Sequence, residues 1–370
     1  MRLLFVAGGT GGHINPAVAV ANEIKRTNPD AEILFVGTEG RMETKIVPNA
    51  GFEIKTVKMN GFNRSKSFRA IKDNIETVVL TLKASKEAKK IISEFNPDVV
   101  VGFGGYVTGP VVRTAHKMGI KTAIHEQNSF PGVANKALAK IVDKVMLTNE
   151  DAEKHLDCKN IPVITGLPIR SEILRTDKDH ARILLGVNDD EMLVLSMGGS
   201  LGADAINNAF VDMMKILQGE KNIRFIHATG QYGTWVGDKL IENNIPYGVL
   251  TNIDLREYIE NMDVCLPGAD LVISRAGASS LSEISALKKP SILIPSPNVA
   301  ENHQYHNAMS LAQNGGAILI EEKDLTGEYL AQVVMELKNN RKSLNEIGEL
   351  AGENARINAL SDICKIILSL

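Results

Sequence analysis

The sequence is poor in the features that mark several large classes of protein. Only three of its 370 residues are cysteines, and none stands in a Cys-x-x-Cys pair, which argues against a disulfide framework or a zinc site and fits a reducing cytosol. No apolar run reaches the roughly 18 residues that a membrane-spanning helix needs, and the apolar start at residues 3–7 is too short for a secretory signal. The net charge of −3 gives the whole molecule little attraction to nucleic acid, and we expect no such partner.

Two common nucleotide-binding signatures are also missing. No Gly-x-x-x-x-Gly-Lys-Ser/Thr sequence is present, which disfavours ATP hydrolysis. The first glycine turn does not follow the Gly-x-Gly-x-x-Gly pattern of nicotinamide dehydrogenases, although Glu39 stands where a ribose-binding acid would lie, so that class is disfavoured but stays open. No Asp-x-Asp metal motif stands in a suitable loop, and we expect no obligatory metal and no cofactor.

What the sequence does contain is a regular alternation of short apolar runs and longer amphipathic stretches. The predicted strands are 3–7, 33–37, 54–57, 99–103, 122–125 and 144–147 in the first half, and 192–197, 224–228, 248–250, 271–274, 291–294 and 317–320 in the second. Predicted helices between them include 16–26, 68–94 and 132–139. Uniformly apolar strands that alternate with helices predict parallel sheets covered on both faces.

Both halves begin with a strand, a glycine-rich turn and a helix. This repetition predicts the α/β class, with two Rossmann-like domains whose parallel sheets face each other across a cleft. We place the first domain at residues 1–163 and the second at 164–349. The last predicted helix, over 350–370, is expected to pack back on the first domain.

Four glycine-rich turns follow predicted strands, at residues 8–12, 102–109, 198–202 and 274–278. Glycine lets backbone N–H groups approach an anion at the start of a helix, and ligands of open α/β sheets bind where the strands end. Tight packing of a turn explains any one of them equally well. Four together favour binding of a diphosphate.

The order of several motifs resembles the MurG family of glycosyltransferases. These motifs are Gly8-Gly-Thr-Gly-Gly-His13, His125-Glu-Gln-Asn128, Gly198-Gly-Ser-Leu-Gly-Ala203, Ser274-Arg-Ala-Gly-Ala278 with Glu283, Ile294-Pro-Ser-Pro297, Glu301-Asn-His-Gln304 and Asn307-Ala308. The resemblance implies a GT-B fold and an inverting hexosyltransferase that moves GlcNAc from UDP-GlcNAc to the MurNAc C4 hydroxyl of undecaprenyl-linked lipid I, forming lipid II. Such an enzyme serves bacterial peptidoglycan synthesis, and thereby cell-wall biogenesis, cell shape, cell division and the cell cycle.

The resemblance also implies which residues bind the substrates. They are Thr10, Gly11, Gly12, Asn128, Asn135, Arg170, Ser200, Ile259, Ala278, Ser279, Ser280, Leu281, Ser282, Glu283 and Gln304, with Tyr106 on the acceptor side. Arg170 would hold the diphosphate, Glu283 the ribose and Gln304 the GlcNAc, with the backbone of Ile259 beside the uracil. The plain alternatives are an interface salt bridge for Arg170, a helix cap for Ser200 and a core side chain for Ile259. Leu167 and Leu201 stand where the family commonly has Asn and Gln, and neither can supply the hydrogen bonds of an amide.

Two residues are candidates for the general base that deprotonates the acceptor hydroxyl. His13 ends the first glycine turn, and Glu126 ends a predicted strand. Both residue types serve as bases when their surroundings adjust the pKa, and the sequence does not choose between them. Helix N-termini and Arg170 would stabilise the departing UDP, a task that metals perform in other transferases.

One segment, residues 55–90, departs from the weak overall charge. It carries ten basic and three acidic side chains, and Ile71, Ile75, Val78 and Leu82 fall on one helical face. Such a helix suits the anionic inner leaflet of the cell membrane and would place the protein peripherally on its cytoplasmic face. An ordinary helix packed on the sheet, with a solvated basic face, explains the pattern equally well.

Other functions stay open at this point. A related transferase could use diacylglycerol or another lipid acceptor, a UDP-sugar 2-epimerase can use a similar two-domain fold, and a sensor would bind UDP without turnover. An epimerase would release UDP and free sugar without any acceptor, and it gives no reason for the basic helix with an apolar face.

Overall fold

The computed structural model describes residues 1–59, 68–248 and 251–370, and over 68–76 it describes the backbone alone. The chain divides into two compact units, one made of Met1–Pro168 and Arg356–Leu370 and the other of Ile169–Ala355. Each unit is built on a sheet of parallel strands that alternate with helices. The predicted α/β class with two Rossmann-like domains is therefore confirmed.

The first unit holds a seven-stranded sheet. Its strands are β1 (Arg2–Ala7), β2 (Glu32–Thr38), β3 (Glu53–Val57), β4 (Val99–Gly104), β5 (Lys121–Glu126), β6 (Lys144–Leu147) and β7 (Val163–Ile164), in the spatial order β3-β2-β1-β4-β5-β6-β7. Its helices up to this point are α1 (Gly11–Thr27), α2 (Glu43–Asn49), α3 (Phe68–Phe95), α4 (Thr108–Lys117) and α5 (Val133–Ala139).

Strand β1 shows why the strands of this sheet are apolar along their whole length. Leu3 and Phe5 belong to one buried cluster, whereas Leu4 and Val6 belong to another. Successive side chains of a strand point to opposite faces, so a strand covered on both faces needs apolar residues at every position. The parallel arrangement places the following loops at one edge of the sheet, and this edge carries the first group of candidate site residues.

The second unit holds a six-stranded sheet. Its strands are β8 (Met192–Met197), β9 (Ile223–Ala228), β10 (Ile253–Arg256), β11 (Leu271–Ser274), β12 (Ser291–Leu293) and β13 (Ile318–Leu319), in the spatial order β10-β9-β8-β11-β12-β13. Its helices are α6 (Ser171–Arg175), α7 (Lys178–Leu185), α8 (Asp204–Leu217), α9 (Trp235–Glu242), α10 (Met262–Gly268), α11 (Ala278–Ala286), α12 (His303–Ala312), α13 (Gly327–Asn339) and α14 (Arg341–Gly352).

Two predicted elements differ from the structure, and a third lies largely outside the described residues. The strand predicted at 248–250 falls largely outside the described residues, and the strand beside β9 is β10, at Ile253–Arg256. The helix predicted from residue 16 begins at Gly11, so part of the first glycine turn is already helical. The single helix predicted over 350–370 is wrong, because α14 ends at Gly352 and a separate helix, α15 (Ala359–Leu368), follows.

The break between α14 and α15 has a physical reason. Leu344 of α14 belongs to a core cluster of the second unit, whereas Ile363, Cys364 and Ile367 of α15 belong to a core cluster of the first. The six residues between the two helices carry the chain from one unit to the other. The apolar periodicity is helical on both sides of this crossing, so the sequence pattern alone did not reveal it.

Each unit buries one histidine completely. In the second unit the ring of His227 stacks on Phe210, and its two nitrogens lie 2.9 Å from Ser196 Oγ and 3.1 Å from Asn207 Oδ1. Burial lowers the pKa of His227 to about 3. In the first unit burial likewise lowers the pKa of His125 to about 4. Both rings are therefore neutral at physiological pH.

We expect the free energy of unfolding to fall as the pH decreases from about 6.5 toward 4. In the unfolded chain a histidine titrates near 6.5, so below that pH the unfolded state binds more protons than the folded state and acid favours unfolding. At pH 5 each buried histidine should contribute a loss of about 2 kcal/mol relative to pH 7 or above. Urea unfolding at pH 7 and pH 5 measures the difference.

Two variants isolate the contribution of His227. His227→Gln should be less stable than the wild type at pH 7 but should lose less stability between pH 7 and pH 5, because the titrating ring is gone. His180→Gln removes an exposed histidine and should keep the wild-type slope. Equal slopes for all three proteins would show that His227 is not held neutral.

Candidate functional site

Three neighbouring strands of the first sheet, β1, β4 and β5, end at the same edge. The segments that follow them are residues 8–13, of which 11–13 already form the start of α1, and the loops 105–107 and 127–132. They contain most of the predicted site residues of this unit. Parallel strand ends are where open α/β sheets bind ligands.

The loops after β1 and β4 are in direct backbone contact. Gly104 and Gly105 have φ angles of +111° and +87°. A Cβ on Gly105 would lie 2.3 Å from the carbonyl oxygen of Gly8, and a Cβ on Gly104 would lie 2.6 Å from the Nδ1 atom of His13. Only glycine combines these backbone angles with so close an approach, and the imidazole of His13 thereby rests against Gly104.

The glycine turn before His13 presents the start of a long helix. Thr10 is the exposed N-cap residue of α1, although its hydroxyl makes no capping hydrogen bond, and Gly11 and Gly12 open the helix. The first turn of α1 contains no acidic side chain. The backbone N–H groups at this end can therefore receive an anion or a polar ligand group.

His13 itself is half-buried, and its Nδ1 atom lies 3.0 Å from Oε1 of Gln127. Tyr106 follows the two glycines of the neighbouring loop and is 45% exposed. A half-buried imidazole at a sheet edge can exchange a proton with a bound hydroxyl group. The structure thus leaves His13 available for the role that the sequence suggested.

Glu126 has a different environment. Its Oε1 atom accepts hydrogen bonds from the backbone N–H of Asn128, at 3.0 Å, and from the Asn128 side chain, at 3.2 Å. Its Oε2 atom accepts from the Gly132 N–H, at 3.0 Å, and from Asn135 Nδ2, at 2.8 Å. The carboxylate is almost fully buried, and both oxygens are occupied by the loop that they close. This geometry makes Glu126 an organiser of the loop and favours His13 as the base.

Asn135 keeps one polar atom available. Its Nδ2 atom is held by Glu126, whereas its Oδ1 atom is buried and has no hydrogen-bond partner among the described residues. A buried acceptor without a partner is costly. A ligand N–H or O–H group would satisfy it, which is consistent with the predicted sugar or acetamido contact.

In the second unit, strands β8, β11 and β12 are neighbours and end at one edge of their sheet. Ser200 is exposed in the loop after β8. Helix α8 begins four residues later, with Ala203 as its N-cap residue, so the alternative interpretation of Ser200 as a helix cap is wrong. Its hydroxyl is exposed beside the glycines of this loop.

The loop after β11 leads into helix α11, whose N-cap residue is Gly277. Ala278, Ser279 and Ser280 form the first turn, which contains no acidic residue. Leu281 is buried in the core, and the hydroxyl of Ser282 donates to the carbonyl of Ala278. Of the predicted residues 278–282, those at the helix N-terminus are therefore the ones placed to bind a diphosphate, whereas the side chains of Leu281 and Ser282 are already engaged.

Arg170 and Glu283 are bound to each other within the second unit. Nε of Arg170 lies 2.7 Å from Oε1 of Glu283, and one terminal nitrogen lies 2.9 Å from Oε2. The hydrogen bonds that Arg170 donates to Glu283 raise the pKa of the guanidinium. From the sequence these residues were expected to contact separate parts of a ligand, and their pairing through two hydrogen bonds was not predicted. About half of the Arg170 side chain stays exposed.

The remaining predicted residues of this unit lie around the same sheet edge. Oε1 of Gln304 accepts a hydrogen bond of 2.9 Å from the Ser296 N–H, and Asn307 Nδ2 donates to the Ala276 carbonyl. Ile259 is buried in a core cluster, so any contact with a nucleobase would come from its backbone. Leu201 of this unit is exposed, whereas Leu167, which belongs to the first unit, is buried. The binding roles of Gln304 and Ile259 remain predictions.

Gln127 lies at this site in contact with His13, and the sequence analysis assigned it no role. It lies within a motif quoted above, yet no role followed from its position. Its contact with His13 joins residues 114 positions apart, and no periodicity reports such a pairing.

Two kinds of feature are absent from the residues that the structure describes. No group of three or more His, Cys, Asp or Glu side chains in this part of the chain could hold a metal ion. None of the described helices is both long and apolar enough to cross a membrane.

Comparisons with known proteins agree with this geometry. The family models described as glycosyltransferase family 28 N-terminal domain and glycosyltransferase family 28 C-terminal domain match residues 3–147 and 193–361. A relative from Desulforamulus reducens, named UDP-N-acetylglucosamine--N-acetylmuramyl-(pentapeptide) pyrophosphoryl-undecaprenol N-acetylglucosamine transferase, is 41% identical over 99% of this chain and 98% of its own length.

Solved structures show the same architecture. The crystal structure of Acinetobacter baumannii MurG matches with a TM-score of 0.81 at 26% identity, covering 100% of this chain and 99% of that one. UDP-GlcNAc 2-epimerase from Neisseria meningitidis, solved with UDP-GlcNAc bound, matches with a TM-score of 0.66 at 14% identity over 100% of both chains. At that identity the second likeness shows the fold alone.

The two Rossmann-like units, with their glycine turns at the strand ends, define a glycosyltransferase of the GT-B fold class. The chain belongs to glycosyltransferase family 28 and, within that family, to the MurG enzymes.

We expect Glu126→Ala to lower the free energy of unfolding by about 3 kcal/mol or more, because it removes the acceptor of two backbone N–H groups and of two side-chain amides, one of them buried. Glu94→Ala removes an exposed carboxylate from a surface pair with Lys90 and should cost under about 1 kcal/mol. Urea unfolding measures both values. Equal stability of the two variants would show that Glu126 does not hold the loop.

Proposed function

We propose that this protein transfers GlcNAc from UDP-GlcNAc to the C4 hydroxyl of MurNAc in undecaprenyl-linked lipid I, forming lipid II in bacterial peptidoglycan synthesis. The observation that carries the proposal is the 41% identity, over nearly the full length of both chains, to a relative named for this reaction. The epimerase alternative is not favoured, because its likeness extends only to the fold.

The second unit is proposed to bind the donor. The N-termini of α8 and α11 and the loop of Ser200 would receive the diphosphate through backbone N–H groups. Arg170 would turn from Glu283 to fork onto the diphosphate, and Glu283 would then accept hydrogen bonds from the ribose hydroxyls. The half-exposed guanidinium and the nearly buried carboxylate of this pair support such an exchange of partners. Gln304 would contact the GlcNAc.

The first unit is proposed to bind the acceptor. His13 would take the proton of the C4 hydroxyl as its oxygen bonds to C1 of GlcNAc and the bond from C1 to the phosphate oxygen breaks. UDP would leave with the bonding electrons, and its negative charge would be stabilised by helix N-termini and Arg170. Asn128, Asn135 and Tyr106 would hold the sugar, a role that the unpaired Oδ1 of Asn135 supports.

Helix α3 supports a peripheral membrane contact. Its buried face consists of Thr77, Ala84, Ala88 and Ile92. Val78 and Leu82, in contrast, are 50% and 64% exposed, so the sheet does not cover these two residues of the predicted apolar face. The side chains of Ile71 and Ile75, and the basic residues at 64 and 66, lie outside the described part of the structure. Exposed lysines lie along the same helix, at Lys83, Lys86, Lys89 and Lys90.

An exposed apolar strip among lysines has the chemistry of a surface that meets an anionic leaflet. We therefore propose the cytoplasmic face of the cell membrane, where the undecaprenyl tail of the acceptor would lie, as the place of action. An acceptor anchored in the membrane by this tail gives the transferase a reason to carry a membrane-binding helix.

The transfer reaction is tested by release of UDP from UDP-GlcNAc. We expect release in the presence of lipid I and no release with diacylglycerol or without an acceptor. His13→Ala should lower kcat by about 100-fold or more, because general bases typically contribute that much. His180→Ala, at an exposed position, should match the wild type. Equal release without acceptor would indicate the epimerase reaction, and an unchanged kcat in His13→Ala would exclude this residue as the base.

Membrane contact is tested by sedimentation with phosphatidylglycerol vesicles. The double variant Val78→Glu with Leu82→Glu should bind at least about tenfold more weakly, because it places two charges on the apolar strip. Ile183→Glu alters an exposed apolar residue of the second unit and should bind like the wild type. Equal binding of all three proteins would remove α3 from the contact surface.

A further inference from the structure

A chain of hydrogen bonds inside the first unit ends at His13. The carbonyl of Gly166 lies 2.9 Å from Nε2 of His125, and Nδ1 of His125 lies 3.1 Å from Nε2 of Gln127. Oε1 of Gln127 then lies 3.0 Å from Nδ1 of His13. His125 is fully buried, and Gln127 is only 2% exposed. Water therefore has little access to these bonds.

The direction of each bond in this chain follows from chemistry. A carbonyl oxygen only accepts hydrogen bonds, so Nε2 of His125 carries the proton that it donates to Gly166. Because burial lowers the pKa of His125 to about 4, this ring is neutral and its Nδ1 atom has a lone pair. The amide nitrogen of Gln127 is then the donor to that lone pair.

The orientation of the Gln127 amide has independent support. The same nitrogen lies 2.7 Å from the carbonyl oxygen of Phe103 and 3.1 Å from the carbonyl oxygen of His125. Neither carbonyl can donate a proton, so the NH₂ group must face them and the amide oxygen must face His13. The oxygen of an amide accepts only, so Nδ1 of His13 must carry a proton.

We propose that Gln127 is a positioning residue that holds His13 in the Nδ1–H tautomer and so leaves the lone pair on Nε2 to act as the base. The role of that lone pair rests on the proposed function, whereas the tautomer does not. The hydrogen bond at one ring nitrogen of a histidine generally sets the chemistry of the other. Here a neutral amide does this, and its own direction is set by the backbone carbonyls of Phe103 and His125.

The arrangement also explains the identity of the residue at position 127. A carboxylate at this buried position would place acceptor oxygens against the carbonyl oxygens of Phe103 and His125, with no donor between them. An amide offers a donor on one side and an acceptor on the other. The amide oxygen accepts the hydrogen bond from His13, and the amide nitrogen donates hydrogen bonds to the two carbonyls.

The test is ¹⁵N NMR of the full-length protein labelled at its histidine rings, at a pH where the rings are neutral. We expect opposite tautomers for two histidines, with the proton on Nδ1 in His13 and on Nε2 in His125. The signals are assigned by their absence in His13→Ala and His125→Gln. In Gln127→Met, which keeps the length of the side chain but removes all the hydrogen bonds of the amide, His13 should shift toward the Nε2–H form.

Turnover supplies the second measurement. Gln127→Met should lower kcat by about tenfold or more, since the wrong tautomer of a catalytic histidine and the loss of an orienting partner have costs of this size or larger. Its KM for UDP-GlcNAc should stay unchanged. Asn149→Leu removes an amide that holds the same loop through Ser129 Oγ but does not touch His13, and it should keep the wild-type tautomers and kcat.

The outcomes separate this inference from the proposed function. An Nε2–H ring for His13 in the wild type, an unchanged tautomer in Gln127→Met, or an unchanged kcat in that variant would each overturn the positioning role. If instead the wild-type protein shows the two expected tautomers yet transfers no GlcNAc to lipid I, the tautomer assignment stands and the proposed function fails.

Discussion

The close approach of neighbouring loops at the sheet edge is the constraint on which both units depend. In the first unit Gly105 lies against the carbonyl of Gly8, and Gly104 forms the surface on which the ring of His13 rests. In the second unit a Cβ on Gly202 would lie 2.2 Å from the carbonyl oxygen of Thr229. In each case two strand-end turns meet through their backbones, so the polar groups nearby are placed by the sheet itself and not by flexible side chains.

Within this frame, residues of one short motif have quite different duties. Of the four residues from His125 to Asn128, Glu126 uses both oxygens to close its loop, whereas His125 and Gln127 carry a directed chain of hydrogen bonds. In the second unit, two of the predicted ligand-binding residues, Arg170 and Glu283, form an ion pair with each other.

The sequence predicted most of the fold, because strands covered on both faces must be apolar along their length, and helices between them carry a different period. It also predicted which loops would hold the site, since parallel strands end at one edge. It could not predict the pairs Arg170–Glu283 and His13–Gln127, because such contacts join distant positions and depend on side-chain orientation. The exposure of Val78 and Leu82 was equally hidden, since a helix can turn either of two apolar faces toward the sheet. The division of the last helix was missed because both pieces have helical periodicity.

Helix α15 has a consequence for how the protein is made. Its residues Ile363, Cys364 and Ile367 complete a core cluster that also contains Leu3, Phe5 and Ile24. The first unit is thus assembled from both ends of the described chain, while the second is one uninterrupted segment. On the ribosome the second unit can finish folding while the core of the first unit still lacks the side chains of α15. The apolar flank of α1 stays uncovered until residues 359–368 emerge, and during that interval it is the surface that a chaperone would have to shield.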